Sequence, residues 1–154
     1  MRHKVKTLIL AAALALGGFA PAFAMGIDMN PPVDPNYTAG KEAIDAKDWP
    51  KAVDLMTKVV AADAKNADAF NYLGFAQRNS GDYPAALIAY NKALALDPKH
   101  KGAHEYLGEA YLKLGDLPKA EAELAALDRL CTFGCAEYTE LKNKVAAAKA
   151  GKTS

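Results

Sequence analysis

The chain has 154 residues, a length that suits a single domain, and its 19 basic and 18 acidic side chains give a formal net charge of +1. This balance argues against a nucleic-acid-binding or anionic-membrane-binding surface, because both need a clustered field of basic residues. No catalytic set is evident either: the acidic residues are scattered, Ser80 has no histidine in a matching local motif, and there is no phosphate-binding glycine loop. We therefore expect neither an enzyme nor a cofactor.

Residues 1–24 have the features of a secretory signal peptide. A basic start, MRHKVK, precedes the apolar run TLILAAALALGGFA, and the following PAFA places Ala22 and Ala24 at the small-residue positions of a cleavage site. The apolar run is shorter than the roughly 20 residues that span a bilayer. We expect export to the periplasm or beyond and a mature chain that begins at Met25. Cleavage removes three basic residues and no acidic one, which changes the net charge from +1 to −2.

The segment after the cleavage site, residues 25–32 (MGIDMNPP), cannot bury a core and is expected to be a flexible leader. Residues 33–134 then contain an internal repeat with a period of 34. Gly40, Gly74 and Gly108 follow this period, as do the aspartate, proline and alanine of the strings AKDWPKAV, SGDYPAAL and LGDLPKAE. Four residue types recurring in register define the units 33–66, 67–100 and 101–134.

Each unit is predicted to contain two helices, because apolar residues recur at spacings of three and four. In the second unit, Gly81 can adopt the left-handed conformation that ends a helix. Asp82 can cap the next helix, whose first turn accommodates Pro84. Asp97 and Pro98 end that helix.

The predicted helix pair of the second unit combines small and large side chains. Gly74 and Ala86 would let the two helices approach each other closely. Large side chains would fill the remaining space, namely Phe70, Leu73, Tyr83 and Tyr90.

The period of 34 and the pattern F-x-x-L-G … A-x-x-x-Y … A … P resemble the tetratricopeptide repeat, a helix-turn-helix unit. The second unit carries the most complete pattern, with Phe70, Leu73, Gly74, Gly81, Tyr83, Ala86, Tyr90, Ala93 and Pro98. The resemblance covers residues 33–134 and implies an all-α fold, a right-handed superhelical array of three helix-turn-helix units.

A C-terminal helix over residues 135–150 is expected to cap the open end of this array. Tyr138, Leu141 and Val145 share one face of the helix, and its lysines, Lys142, Lys144 and Lys149, are expected to point elsewhere. Residues 151–154 are expected to form a disordered tail.

The resemblance also implies a function, because the first helices of successive units in this family line a concave groove that holds an extended peptide or a helix of a partner. The corresponding positions of the first unit are Tyr37, Lys41, Ile44 and Asp45. Those of the second unit are Asp68, Asn71, Phe75, Arg78 and Asn79. Those of the third unit are Glu105, Glu109, Leu112 and Lys113. We expect a protein or peptide partner, with self-association as a further option.

Phe75 and Asn71 are the most informative of these positions, and each allows two interpretations. They can provide an apolar anchor and an amide for capturing a partner's backbone. Alternatively, Phe75 packs within the array and Asn71 is solvated. The lysine, asparagine and arginine clamp with which some family members grip a C-terminal carboxylate is not reproduced, since neither Lys41 nor Asn71 sits where that clamp needs it.

His100 and His104 are four residues apart, a spacing that can suit zinc or copper. However, His100 precedes its helix, and His104 replaces the aromatic residue that packs inside the other units. We therefore predict a packed or half-buried structural histidine at position 104 and no metal site.

The only two cysteines, Cys131 and Cys135, lie in CTFGC between the last repeat and the capping helix. The spacing and the following Ala136 exclude the C-x-x-C-H motif of haem attachment. A thioredoxin-like site needs C-x-x-C in an α/β fold. Two alternatives remain: a disulfide that staples the cap to the array after export, and a periplasmic copper or thiol carrier that uses the two cysteines with His104.

Overall fold

The computed structural model describes residues 34–151, and this part of the chain folds into seven α-helices without a strand. In chain order they are α1 Pro35–Asp45, α2 Trp49–Ala62, α3 Ala67–Asn79, α4 Tyr83–Leu96, α5 Lys101–Lys113, α6 Leu117–Leu130 and α7 Ala136–Lys149. The predicted all-α array of helix pairs followed by a capping helix is confirmed. Within the described range, no helix has both the length and the apolar character needed to cross a membrane. The predicted signal peptide, the leader and residues 152–154 lie outside the described residues.

The turn between the two helices of each unit depends on one residue with a positive φ. In the second unit it is Gly81, with φ of 87°, and the next amide, that of Asp82, donates to the carbonyl oxygen of Gln77 at 2.9 Å. Gly115 takes the same place in the third unit with φ of 76°. Lys47 takes it in the first unit with φ of 56°, where a side chain is disfavoured. The left-handed turn predicted at Gly81 is thus confirmed, and Lys47 adopts the same conformation despite its Cβ.

An aspartate caps the second helix of each unit. The Oδ1 atom of Asp82 accepts a hydrogen bond from the Ala85 amide at 3.1 Å, which satisfies one of the unpaired N–H groups at the start of α4. Asp48 and Asp116 cap α2 and α6 through equivalent bonds at 3.3 and 3.2 Å. The capping predicted for Asp82 is therefore confirmed and recurs in all three units.

The glycines at the 34-residue spacing are sites of close side-chain approach. A Cβ placed on Gly74 would lie 2.7 Å from Cε1 of Tyr90, so the ring fills the space left by the glycine. A Cβ on Gly40 would lie 2.8 Å from Cε of Met56, the equivalent side chain of the first unit. At Gly108 the nearest atom belongs instead to Leu141 of α7, at 2.6 Å. The capping helix therefore supplies the side chain that fills this space in the third unit.

The array curves toward its odd-numbered helices. The backbones of α1 and α3, of α3 and α5, and of α5 and α7 approach one another, whereas α2, α4 and α6 make no such contact among themselves. Helices that are closer together lie on the inside of a curve, so α1, α3 and α5 form the inner face. The predicted groove residues all belong to these three helices.

Candidate partner-binding groove

The 34-residue period arranges the inner-face side chains in two rows, each with one residue from α1, α3 and α5. The first row consists of Tyr37, Asn71 and Glu105, and the second row consists of Lys41, Phe75 and Glu109. Members of a row are 34 residues apart, and members of neighbouring rows are one helical turn apart on each helix. The rows change in chemistry along the array, from an aromatic ring and a cation on α1 to two carboxylates on α5.

The α1 end of the inner face is aromatic and carries a positive charge. The rings of Tyr37 and Tyr72 meet edge to face with their centroids 5.9 Å apart. The Nζ atom of Lys41 lies 5.8 Å from both ring centroids, within the range of a cation–π interaction. Burial, followed by the negative charge of Asp68, raises the pKa of Tyr37 to about 12, so this phenol stays neutral in the physiological range.

The centre of the inner face is an aromatic group built around Phe75. Its ring centroid lies 6.1 Å from that of Trp49 and 4.9 Å from that of Tyr106. The guanidinium of Arg78 stands over the rings of Phe75 and Tyr106, at 5.4 and 5.3 Å from their centroids. Of the two interpretations of Phe75, the structure shows packing within the array, with the ring still half-buried.

Asn71 is neither solvated nor paired in the structure. The residue is only 5% exposed, and its Oδ1 atom has no hydrogen-bond partner within residues 34–151. Its Nδ2 atom lies 3.5 Å from the position that a Cβ would take on Gly102, so the amide contacts the first turn of α5. The second interpretation of Asn71, in which its side chain is solvated, is therefore wrong.

The α5 end of the inner face is acidic, and Glu109 links three helices there. This carboxylate is 8% exposed and accepts hydrogen bonds from the guanidinium of Arg78 on α3 and from the ammonium of Lys144 on α7. Two opposite charges compensate its burial. The expectation that Lys144 points away from the array is corrected, because its ammonium group reaches back to α5.

Glu105, one turn before Glu109, is buried without such compensation. It is 9% exposed and makes no hydrogen bond or ion pair with any of the residues that the structure describes. Burial, then the charge of Glu109, raises its pKa to about 7, and Lys144 opposes that change. The burial of this carboxyl therefore brings its protonation into the neutral pH range.

Two of the predicted groove residues are occupied within the array itself. The Nδ2 atom of Asn79 donates to the carbonyl oxygen of Phe75 at 2.8 Å, which satisfies the end of α3. Leu112 packs against the apolar cluster of α6 and α7 that contains Leu127 and Leu141. Asn79 remains exposed despite this bond, and the assignment of both residues to the groove stays a prediction.

Four residues that were not among the predicted partner-binding residues also contact the inner-face side chains, namely Trp49, Tyr72, Tyr106 and Lys144. Tyr72 and Tyr106 are 34 residues apart, so the period itself was a signal that could have identified them. Lys144 gave no such signal, because its contact depends on how α7 packs against α5.

The two histidines have structural partners. His100 caps α5 by accepting from the Ala103 amide at Nδ1, 3.1 Å away, and its Nε2 donates to Asp68 at 2.9 Å. His104 is half-buried, as predicted, with Nδ1 2.6 Å from Glu123 and Nε2 3.1 Å from the Pro98 carbonyl oxygen.

Because both nitrogens of His104 face acceptors, the protonated ring fits best, and the hydrogen bond to Glu123 is the main cause of its raised pKa. A metal ligand needs an unprotonated ring nitrogen. Within residues 34–151, no group of three or more His, Cys, Asp or Glu side chains is placed to hold a metal ion.

Cys131 and Cys135 are joined in a disulfide, with their Cα atoms 5.6 Å apart. Cys131 is the C-cap of α6, and Cys135 is the N-cap of α7, where its Sγ accepts from the Tyr138 amide at 3.4 Å. The bond therefore closes the junction between the last repeat and the cap. Phe133, at the tip of this loop, is fully exposed.

Comparison with protein families gives two matches, both described as tetratricopeptide repeat, over residues 37–101 and 78–144. A comparison with curated protein sequences gives no match.

Among solved structures, the chain is similar to PcrH in complex with the chaperone binding region of PopD, with 24% identity, coverage of 77% of this chain and 91% of that one, and a TM-score of 0.69. It is also similar to the Yersinia enterocolitica type III secretion chaperone SycD in complex with a peptide of the translocator YopD, with 22% identity, coverage of 77% and 92%, and a TM-score of 0.66. The TPR2B domain of yeast Sti1, in a complex with pHsp70, has 23% identity, coverage of 75% and 94%, and a TM-score of 0.70.

At these identities the structural likeness concerns the fold. The two family matches together span residues 37–144, the same part of the chain in which the repeat period and the helix pairs are found. The chain belongs to the tetratricopeptide repeat family.

Proposed function

We propose that this chain is an exported, periplasmic interaction scaffold that holds a segment of a partner protein along the inner face of α1, α3 and α5 and catalyses no reaction. The observation that carries the proposal is the first row, Tyr37, Asn71 and Glu105, which presents three chemically different side chains along one face. Packed helices are about 8–10 Å apart, so the row spans about 20 Å, which matches about six residues of an extended chain.

The chemistry of the inner face supports binding of a polypeptide. Tyrosine rings offer a large contact area with few rotatable bonds, and the unpaired Oδ1 atom of Asn71 can accept a hydrogen bond from a backbone N–H group. The three similar structures named above support the same proposal, since each is described as a complex with a segment or peptide of another protein, or with pHsp70.

Site-specific photo-crosslinking in living cells tests the inner face. A photoreactive phenylalanine analogue replaces Lys41 or Tyr72 on the inner face, and Ile88 on α4, which is 73% exposed, serves as the matched outer-face control. We expect the same partner to be crosslinked from positions 41 and 72 and not from position 88. Equal crosslinking from all three positions, or none from the inner face, would exclude the groove as the binding surface.

Fractionation of the same cells tests the location. We expect the protein in the periplasmic fraction, with an intact mass that corresponds to a chain beginning at Met25. Recovery of the full-length chain in the cytoplasm would contradict export.

A further inference from the structure

The buried carboxylate Glu105 lies among other charged groups at the α5–α7 end of the inner face. The negative charges of Glu109, Glu137 and Glu140 act on it, and the positive charge of Lys144 opposes them. Arg78 and Lys144 both contact Glu109.

Glu105 lacks the cationic partners that Glu109 has. Glu109 already has a cation on each side, whereas Glu105 has no ion pair among residues 34–151 although it is as deeply buried. A buried carboxylate without a partner is unfavourable, so the group takes up either a proton or a cation from outside. Burial and the charge of Glu109 raise its pKa to about 7, so a proton and a cation compete for this carboxyl near neutral pH.

Asn71 gives an independent indication of a ligand at the same place. It occupies the same register position as Glu105 on the neighbouring helix, and its amide contacts α5 at Gly102, one turn before Glu105. Its buried Oδ1 atom has no partner in the described part of the chain. Asn71 Oδ1 and the Glu105 carboxyl, which lie at matching positions of neighbouring helices and lack a partner among residues 34–151, suit a polypeptide, which brings backbone N–H groups and a charged side chain together.

A metal ion fits this place less well than an organic cation. Hard divalent cations take six or more oxygen ligands in a close shell, and no group of three or more acidic, histidine or cysteine side chains in residues 34–151 is arranged to provide one. A lysine or arginine side chain needs only one carboxylate and reaches it on a long aliphatic stem.

We propose that the partner segment carries a lysine or arginine whose side chain pairs with Glu105, while its backbone lies beside Asn71. This inference rests on the proposed function of the inner face. It places the basic residue of the segment at the α5 end, away from the aromatic pair and Lys41 at the α1 end.

Selection of binders from a random 12-residue phage-displayed peptide library tests the inference. The library is selected in parallel on the purified protein, on Glu105→Gln and on Asp54→Asn, a control that removes one negative charge from an exposed position on α2. Circular dichroism verifies that the variants are folded. We expect one position of the selected peptides to be enriched in lysine and arginine on the wild type and on Asp54→Asn, and the enrichment to be absent on Glu105→Gln.

The affinity of one selected peptide as a function of pH adds a second measurement. Because protonated Glu105 cannot pair with a cation, we expect affinity for the wild type to fall by up to about tenfold between pH 8 and pH 6. The other charged groups that act on this carboxyl are Glu109, Glu137, Glu140 and Lys144, and Arg78 contacts Glu109. The Glu105→Gln variant should show a flat profile.

The outcomes separate this inference from the function on which it rests. Peptides that bind the inner face without a basic residue, or whose basic residue is retained on Glu105→Gln, would overturn the inference and leave the scaffold function standing. Selection of no peptide at all, or only of peptides that still bind after Tyr72→Ala, would overturn both.

Discussion

Replacing Gly74 with alanine should destabilise the protein more than the same change at Gly40. The added methyl group at Gly74 would lie 2.7 and 2.8 Å from two ring atoms of Tyr90, closer than carbon atoms approach without strain. That ring is fully buried, so it cannot swing away. At Gly40 the nearest atom, at 2.8 Å, is the terminal methyl group of Met56, which has three rotatable bonds and can adjust.

The magnitude follows from two opposing effects. Overpacking a tight core costs about 1–3 kcal/mol, whereas alanine in place of glycine in a helix contributes about 1 kcal/mol of stability. For Gly74→Ala the cost of overpacking should lie at the upper end of this range, which leaves a net loss of about 2 kcal/mol in the free energy of unfolding. For Gly40→Ala the two effects should nearly cancel.

Urea unfolding, followed by circular dichroism and by the fluorescence of Trp49, measures both variants against the wild type. In the double variant, Gly74→Ala with Tyr90→Leu, the loss in the free energy of unfolding should be smaller than the sum of the losses in the two single variants, since removing the ring removes the clash. Equal losses for Gly74→Ala and Gly40→Ala, or additive effects in the double variant, would refute the close approach of the ring as the reason for this glycine.

Three further predictions concern the turn, the buried histidine and the disulfide. Lys47→Gly should raise the free energy of unfolding by about 1 kcal/mol, because the positive φ of Lys47 disfavours a side chain, and Lys47→Ala should give no such gain in urea unfolding. The raised pKa of His104 means that the folded state holds its proton more tightly than the unfolded chain. The stabilisation that protonated His104 contributes is therefore complete below pH 6.5 and disappears as the pH rises through the pKa of His104 in the folded state. The free energy of unfolding, measured from pH 6 to 9, should fall more steeply for the wild type than for His104→Gln. Replacing Cys131 and Cys135 with serine should cost about 2 kcal/mol by loop closure and increase hydrogen exchange in α7 first. Intact mass after alkylation without reduction should show no free thiol in the wild type, and two labelled cysteines would instead favour a thiol or metal carrier.

The sequence determined the features that depend on neighbours along the chain. The period of 34, the helix pairs, the cap at Asp82 and the turn at Gly81 were all predictable, because hydrogen bonds over two to five residues and the allowed range of φ produce them. The half-buried environment of His104 was also predictable, since this histidine replaces an aromatic residue at a fixed position of the repeat.

The tertiary structure decided which side chains meet across helices. Sequence alone did not show that Lys144 reaches Glu109, that Leu141 fills the space at Gly108, or that Glu105 is buried without an ion pair to any residue in the range 34–151. These contacts depend on the angle and depth at which α7 packs against α5, and a repeat pattern carries no information about a helix that follows the last repeat. Register assigned the candidate groove residues to one face, and helix packing determined which of them make contacts within the array.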